Sequence, residues 1–235
     1  MALKKVIAVI GLGRFGLGLV KALATHHVEV IAIDKNDASV ADAADLVTNA
    51  VNCDSKDPEA LKDAGLLAAD VAIIAFGQDT QANLSNSILT FMALKKVKEE
   101  QDEERKMKII VRIDSEAYEE LFLTLGADEV ISPFDLASRS LATQVASSSI
   151  MDYYQVEGDY NVFAFIVPQD VKPIKITTLN TPKNFGINII LYTRDDKTQM
   201  PNASYVVQPG DEIYAFGLEM GVHRLQNFLS NQGDE

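Results

Sequence analysis

The chain of 235 residues contains one cysteine, and no run of apolar residues approaches the roughly twenty that a membrane-spanning helix requires. Cys53 has no second thiol to pair with and no ligand companion at metal-site spacing. An internal disulfide is excluded, and the usage fits a reducing compartment. The expected place for Cys53 is a small buried core position. Cations are also scarce, with 21 Lys and Arg against 34 Asp and Glu, a formal net charge of −13. That balance argues against nucleic acid and anionic lipid, because a phosphate-binding surface needs clustered Lys and Arg. A cationic protein surface remains a suitable partner. The N-terminus lacks the basic, apolar and small-residue order of a secretory signal, so the expected location is the cytoplasm.

What is present is a long alternation of strand and helix. A hydrophobic content of 47% allows one good core and a smaller second one. The runs "KKVIAVI" (4–10), "VEVIAID" (28–34), "LVTNAVNC" (46–53), "DVAIIAFG" (70–77), "KIIVRID" (108–114) and "DEVISP" (128–133) are rich in Val and Ile, as strands covered on both faces are. Helical stretches such as "RFGLGLVKALAT", "DPEALKDAGL" and "SEAYEELFLTLG" lie between them. Such alternation implies right-handed crossovers and a parallel sheet, so the expected fold is an α/β, Rossmann-like, doubly wound domain over 1–134. The mixed-charge stretch 95–108 reads as a solvated helix end and loop. Over 135–151 a stripe of Ala137, Leu141 and Val145 with small neighbours fits two readings equally, a crossover helix packing on another subunit or a final helix on its own sheet. From 152 to 235 short strands separated by "PQD", "RDDK", "MPN" and "QPGDE", with a last helix, predict a small α+β domain.

The chemistry concentrates in "VIGLGRFGLGLV" (9–20). Gly11, Gly13 and Gly16 form G-x-G-x-x-G after a strand and at a helix start, and Asp34 closes the second strand eighteen positions after Gly16. Gly11 permits the tight turn, Gly13 lets backbone approach a phosphate, and Gly16 lets the helix pack on the strand. The helix N-terminus supplies free N–H groups, and Asp34 accepts from ribose hydroxyls. Lys35 follows Asp34 where an arginine would greet a 2′-phosphate, which disfavours NADP. Arg14 adds a guanidinium able to reach further phosphate oxygens, as in ATP or ADP, or else pairs with a neighbouring acid. A nicotinamide-dependent dehydrogenase is a rival, but it needs a proton-transfer group over the nicotinamide. His26 and His27 sit in the turn after the first helix, and His223 in the terminal helix, which favours a non-enzyme. An NAD(H)-binding redox sensor on the same scaffold is the second reading.

The segments "VIGLGRFGLGLVKAL", "VIAIDKN", "VNCDSKDPEALKDAGL", "AFGQDTQANL", "VRIDS" and "LGADEVISP", followed by "LNTPKNFGINIILYTRDDKTQMPNASYVVQPGDEIYAFG", span nearly the whole chain. On them the chain resembles the RCK family, regulators of potassium conductance, and within it the cytosolic subunits of Ktr/Trk-type potassium-uptake systems. The resemblance implies that Gly11, Gly13, Arg14, Phe15 and Gly16 hold phosphates and Asp34 the ribose. It implies that Asp54 borders the adenine, that the turn Phe76, Gly77 and Gln78 closes over the nucleotide, and that Arg112 faces the phosphates. It further implies dimers through the crossover helix and octameric rings. These change shape between ATP and ADP and gate a membrane potassium-transporting subunit at the inner face of the cell membrane. Two positions depart from the pattern. Relatives hold an activating divalent cation with an acid directly after the proline of "ISP", where this chain has Phe134, with Asp135 one residue later. Some relatives bind cyclic di-AMP with an arginine where this chain has Pro182, although "FGINIILY" and Pro201 fit the surrounding pattern.

Overall fold

The computed structural model describes residues 4–47, 49–77, 80–102, 106–146 and 150–231. It divides into two compact units, Met1–Phe134 and Asp135–Glu235. Among the described residues no helix is long and apolar enough to cross a membrane.

In the first unit six parallel strands form one sheet: β1 (Val6–Ile10), β2 (Glu29–Asp34), β3 (Asn49–Asn52), β4 (Val71–Ile74), β5 (Lys108–Arg112) and β6 (Glu129–Ile131). Their spatial order is β3-β2-β1-β4-β5-β6. Five helices connect them: α1 (Arg14–Leu23), α2 (Asp37–Ala44), α3 (Pro58–Asp63), α4 (Gln81–Glu99) and α5 (Glu119–Leu125). All five residues of β1 are buried, because alternate side chains enter different cores. Ala8 and Ile10 join Phe91 and Leu94 of α4, while Val9 packs with Val20 of α1 and Ala32 of β2. Unbroken apolar runs are therefore what this sheet needs. Strand order reverses between β1 and β4, and in open sheets of this kind the crevice beyond the carboxyl ends at that point takes ligands.

Two expected strands are shorter than their apolar runs. β3 covers only Asn49–Asn52, and Ala75–Gly77 leave β4 to turn across the glycine loop. Of the 95–108 stretch, 95–99 end α4, 100–102 and 106–107 are loop and Lys108 opens β5, while 103–105 lie outside the described residues; Val97, Gln101 and Met107 are buried. The Gln101 amide donates to the carbonyls of Leu67 and Ala69 and accepts from the Met107 N–H, which ties the loop to the core.

The helix α6 (Pro133–Ala146) leads from the first unit into the second. It stops short of the expected Met151, since Ile150 and Met151 already belong to β7 (Ile150–Glu157). The β-branched and aromatic residues of 150–156 favour a strand over further helix. Leu141 and Val145 of its apolar stripe are 58% and 73% exposed. The second unit continues with β8 (Tyr160–Ile166), β9 (Ile174–Lys175), α7 (Ile176–Leu179), α8 (Thr181–Phe185), β10 (Ile187–Arg194), β11 (Lys197–Gln199), β12 (Val206–Val207), β13 (Glu212–Leu218) and α9 (Glu219–Ser230). Five antiparallel strands run in the order β11-β10-β13-β8-β7, and β9 pairs with β12. Phe163, Phe165, Ile187 and Ile213 pack with Val222, Leu225 and Leu229 of α9. The "QPGD" turn before β13 is pinned by Asp211, whose carboxylate accepts from Arg194 Nε at 2.6 Å and Nη2 at 2.7 Å, from the Tyr205 hydroxyl at 2.7 Å and from the Gln208 N–H at 2.9 Å.

Candidate functional site

The glycine turn joins β1 to α1 at the point of strand reversal. Gly11 has φ +95°, and its N–H donates to the Ile33 carbonyl at 2.8 Å. A Cβ on Gly11 would lie 2.6 Å from the Phe76 ring, so the turn is roofed by Phe76. A Cβ on Gly16 would lie only 1.8 Å from the Gly11 carbonyl oxygen, which is how closely α1 approaches the turn. Around Gly13 there is nothing within 4 Å of a Cβ position, leaving its backbone open to a ligand. No side chain caps α1, and its first turn carries no acid. The free N–H groups and positive dipole end therefore face outward without a resident anion from the protein.

Arg14, the first residue of α1, is exposed and pairs with no acidic side chain among the described residues. Asp34 ends β2 half-buried, with Oδ2 accepting from the Leu12 N–H at 2.7 Å and Oδ1 from the Asn36 N–H at 2.9 Å. One lone pair on each oxygen is used this way, and the carboxylate keeps the capacity to accept from hydroxyl groups. It also fixes the glycine turn from outside. A crevice of about 280 Å³ opens beside these groups, lined by Gly11, Gly13, Asp34, Asp54 and Phe76 among others. Asp54 is 56% exposed and accepts from the Lys56 N–H.

Several lining residues were not among those expected from the sequence. Asn83 and Asn86 reach the crevice from α4, and Lys56 stands beside Asp54. Cys53 also lines it, half-buried, rather than sitting wholly in the core. Burial, with Asp54 and Asp57 adding to it, pushes the Cys53 thiol up and keeps it protonated. The helical face of α4 carried the signal for the two asparagines, since residues three apart share a face.

Gly77 lies against the Asp114 carboxylate, which a Cβ there would approach to 2.6 Å. Gln78 lies outside the described residues. Arg112, 8% exposed, donates to the Ala75 carbonyl at 3.1 Å and to Asp114 Oδ1 at 2.6 Å. Its guanidinium lies 5.0 Å from the Phe15 ring centre and 5.2 Å from that of Phe134. The group expected to face phosphates is thus held by protein partners at the edge of the turn.

The TrkA-N domain family matches residues 7–133, and the TrkA-C domain family matches 174–230. The chain belongs to the TrkA-N family. Over 225 residues this TrkA-N protein is 29% identical to "Ktr system potassium uptake protein C" of Bacillus subtilis, covering 95% of this chain and 97% of that one. It is 25% identical over 224 residues to "Ktr system potassium uptake protein A" of the same organism, covering 95% and 96%. The fold is that of the "GsuK channel bound to NAD", with TM-score 0.63, 13% identity, and 97% of this chain spanning 40% of that one. The regulator-of-conductance resemblance and the Rossmann-like architecture therefore stand.

In this TrkA-N protein Phe134, at the position after Pro133, is 59% exposed and seats on Arg112, with Asp135 next along α6. Among the described residues no group of three or more His, Cys, Asp or Glu is arranged to hold a metal ion. Pro182 lies in the first turn of α8 in the second unit. His26, His27 and His223 are exposed, and none lines the crevice.

Proposed function

We propose that this protein is the nucleotide-sensing regulatory subunit of a potassium-uptake system, binding ATP or ADP at the glycine turn. The observation that carries the nucleotide is the uncapped start of α1, with open space at Gly13 and the Asp34 carboxylate beside it at the strand reversal. Backbone N–H groups of Gly13 to Gly16 hold the phosphates, and Arg14, unpaired to any described acid, reaches the outer phosphate that ATP and ADP carry. Asp34 takes the ribose, while Asp54 borders the adenine and the Phe76–Gly77 turn closes the crevice. The names of the Ktr relatives support the transport role. NAD binding by a redox-sensing regulator is the alternative, since NAD carries the same ribose and a pyrophosphate.

In this reading the protein is cytoplasmic and peripheral to the membrane through its transporter partner. It forms dimers through α6 and a larger ring, and the nucleotide acts by favouring one ring arrangement, because equal affinity for both would shift nothing. The exposed stripe of Leu141 and Val145 is the dimer contact. We expect light scattering to find an assembly larger than a dimer, and Leu141→Asp to dissociate it by burying an unpaired charge. A wild-type monomer at micromolar concentration would overturn the ring.

Nucleotide identity is tested by melting and by chromatography of whatever co-purifies. A ligand bound only by the folded state raises stability by RT ln(1 + [L]/Kd), about 2.7 kcal/mol at a hundredfold excess over Kd. ATP and ADP are expected to raise the Tm more than NAD, and Arg14→Ala to reduce the ATP shift. Asp34→Ala is expected to weaken all three alike. An ATP shift unchanged by Arg14→Ala would remove the phosphate role, and potassium uptake indifferent to ATP and ADP after reconstitution would remove the regulatory one.

A further inference from the structure

Phe134 is a large ring, mostly exposed, at the first turn of a helix, so core packing does not account for it. What it covers is Arg112. That guanidinium meets three segments that the nucleotide site uses separately. It lies 5.0 Å from the ring centre of Phe15, inside the glycine turn, and 5.2 Å from that of Phe134, at the start of α6. Through Nη1 it holds the Ala75 carbonyl at 3.1 Å, at the head of the Ala75–Gly77 turn. Its partner Asp114 packs directly against Gly77, and Phe76 in the same turn roofs Gly11.

We infer that Phe134 and Arg112 are positioning residues of the nucleotide site, through which the glycine turn and the start of α6 constrain each other. This rests on the nucleotide reading above. A guanidinium is planar and weakly hydrated, so it can lie against an aromatic face while its edge donates hydrogen bonds in the ring-free directions. Cation–π attraction grows as the cation is desolvated, and Arg112 is nearly buried. With Phe134 seated, Arg112 is held in the orientation that fixes Ala75 and, one residue on, the Phe76 roof over Gly11. It also steadies Phe15, whose N–H belongs to the free first turn of α1. With Phe134 removed, water reaches the guanidinium and both constraints loosen. Coupling of this kind is reciprocal: if the seat of Phe134 favours nucleotide binding, nucleotide binding favours the seat of Phe134.

The chain contains no tryptophan, so Phe134→Trp places a single indole on the guanidinium as both a conservative replacement and a reporter. We compare the wild-type chain with Phe134→Trp, Phe134→Leu and Phe134→Ala, titrating ADP and ATP by calorimetry. Leucine keeps apolar bulk and removes the aromatic face, which separates stacking from space filling. Phe134→Ala and Phe134→Leu are both expected to weaken nucleotide binding by about fivefold or more, in the usual range of coupling between sites. Phe134→Trp is expected to stay within about twofold of wild type, and its emission to shift on nucleotide addition with the calorimetric Kd. The inference is overturned if alanine and leucine both bind as wild type does, or if only alanine weakens binding. It is equally overturned if tryptophan emission stays fixed while calorimetry shows saturation. Absence of any nucleotide binding by the wild-type chain would instead remove the functional reading, and this inference with it.

Discussion

Replacing Gly16 with alanine is expected to abolish measurable nucleotide binding and to destabilise the first unit by about 1–3 kcal/mol, the usual cost of forcing a carbon into a packed site. The added Cβ would lie 1.8 Å from the Gly11 carbonyl oxygen, and 3.3 Å from Ala75 Cβ. Neither neighbour is the flexible end of a long side chain. The turn and α1 must therefore part, and the N–H groups at the start of α1 lose their aim. A hydrogen bond to a charged phosphate is worth about 1.5–3 kcal/mol, so misaligning two of them weakens binding at least about a hundredfold. Calorimetry with ADP and a melting curve of the nucleotide-free variant give the two numbers.

Two other glycines make this prediction specific. Gly18, on the exposed side of α1, has nothing within 4 Å of a Cβ position, so Gly18→Ala is expected to stabilise the helix by about 0.5–1 kcal/mol and leave the nucleotide unaffected. Gly13 has equally open space, yet it faces the crevice. Gly13→Ala therefore costs at most about 1 kcal/mol as a helix cap, while the methyl group occupies the approach of the phosphates and weakens binding. Tight nucleotide binding by Gly13→Ala would show that the ligand does not use this turn.

The glycine turn and the parallel sheet were legible in the sequence because each depends on a local cause. The Val and Ile runs report burial on both faces, and Gly11, Gly13 and Gly16 report a turn that tolerates no side chain in two of its three places. The surroundings of Arg112 were not legible. Asp114 lies two residues away, but Phe15, Ala75 and Phe134 come from α1, the end of β4 and the start of α6, and only the folded sheet gathers them. The resemblance implies that Arg112 faces the phosphates, whereas in the structure it is buried and donates to Asp114 and to the Ala75 carbonyl. The end of α6 was missed for a different reason. Its apolar spacing and small residues continue the helical pattern, and strand preference beyond 150 wins over that continuation.

The second large effect is expected in the C-terminal unit, where Asp211→Ala should cost about 3 kcal/mol, the lower end of what breaking a buried ion pair costs. Asp211 is 1% exposed and gathers four donors onto one carboxylate. Truncation leaves the Tyr205 hydroxyl buried without its acceptor. Arg194 suffers less, because a third of its side chain is open to water and its Nη2 keeps the Val206 carbonyl. At about 4 °C or more per kcal/mol for a unit of this size, the melting temperature of this unit falls by at least about 12 °C. Tyr205→Phe removes one hydrogen bond and should cost only about 1 kcal/mol. The same cluster sets a pH window. Burial alone would raise the Asp211 carboxyl, but Arg194, the Tyr205 hydroxyl and the Gln208 N–H outweigh it and hold it below its ordinary 3.8. Its stabilisation is complete above that value and is lost as pH falls below it toward the folded-state pKa. Burial, and next the neighbouring Asp211, push the Tyr205 hydroxyl above its ordinary 10.0, so that contribution is complete below that value and is lost as pH rises past it. Hydrogen exchange of β10 and β13 amides across the pH range should show protection falling at both ends. In Asp211→Asn the acid limb of this local loss should flatten, since the group that titrates there is gone, and an unchanged acid limb would mean that another carboxylate governs it.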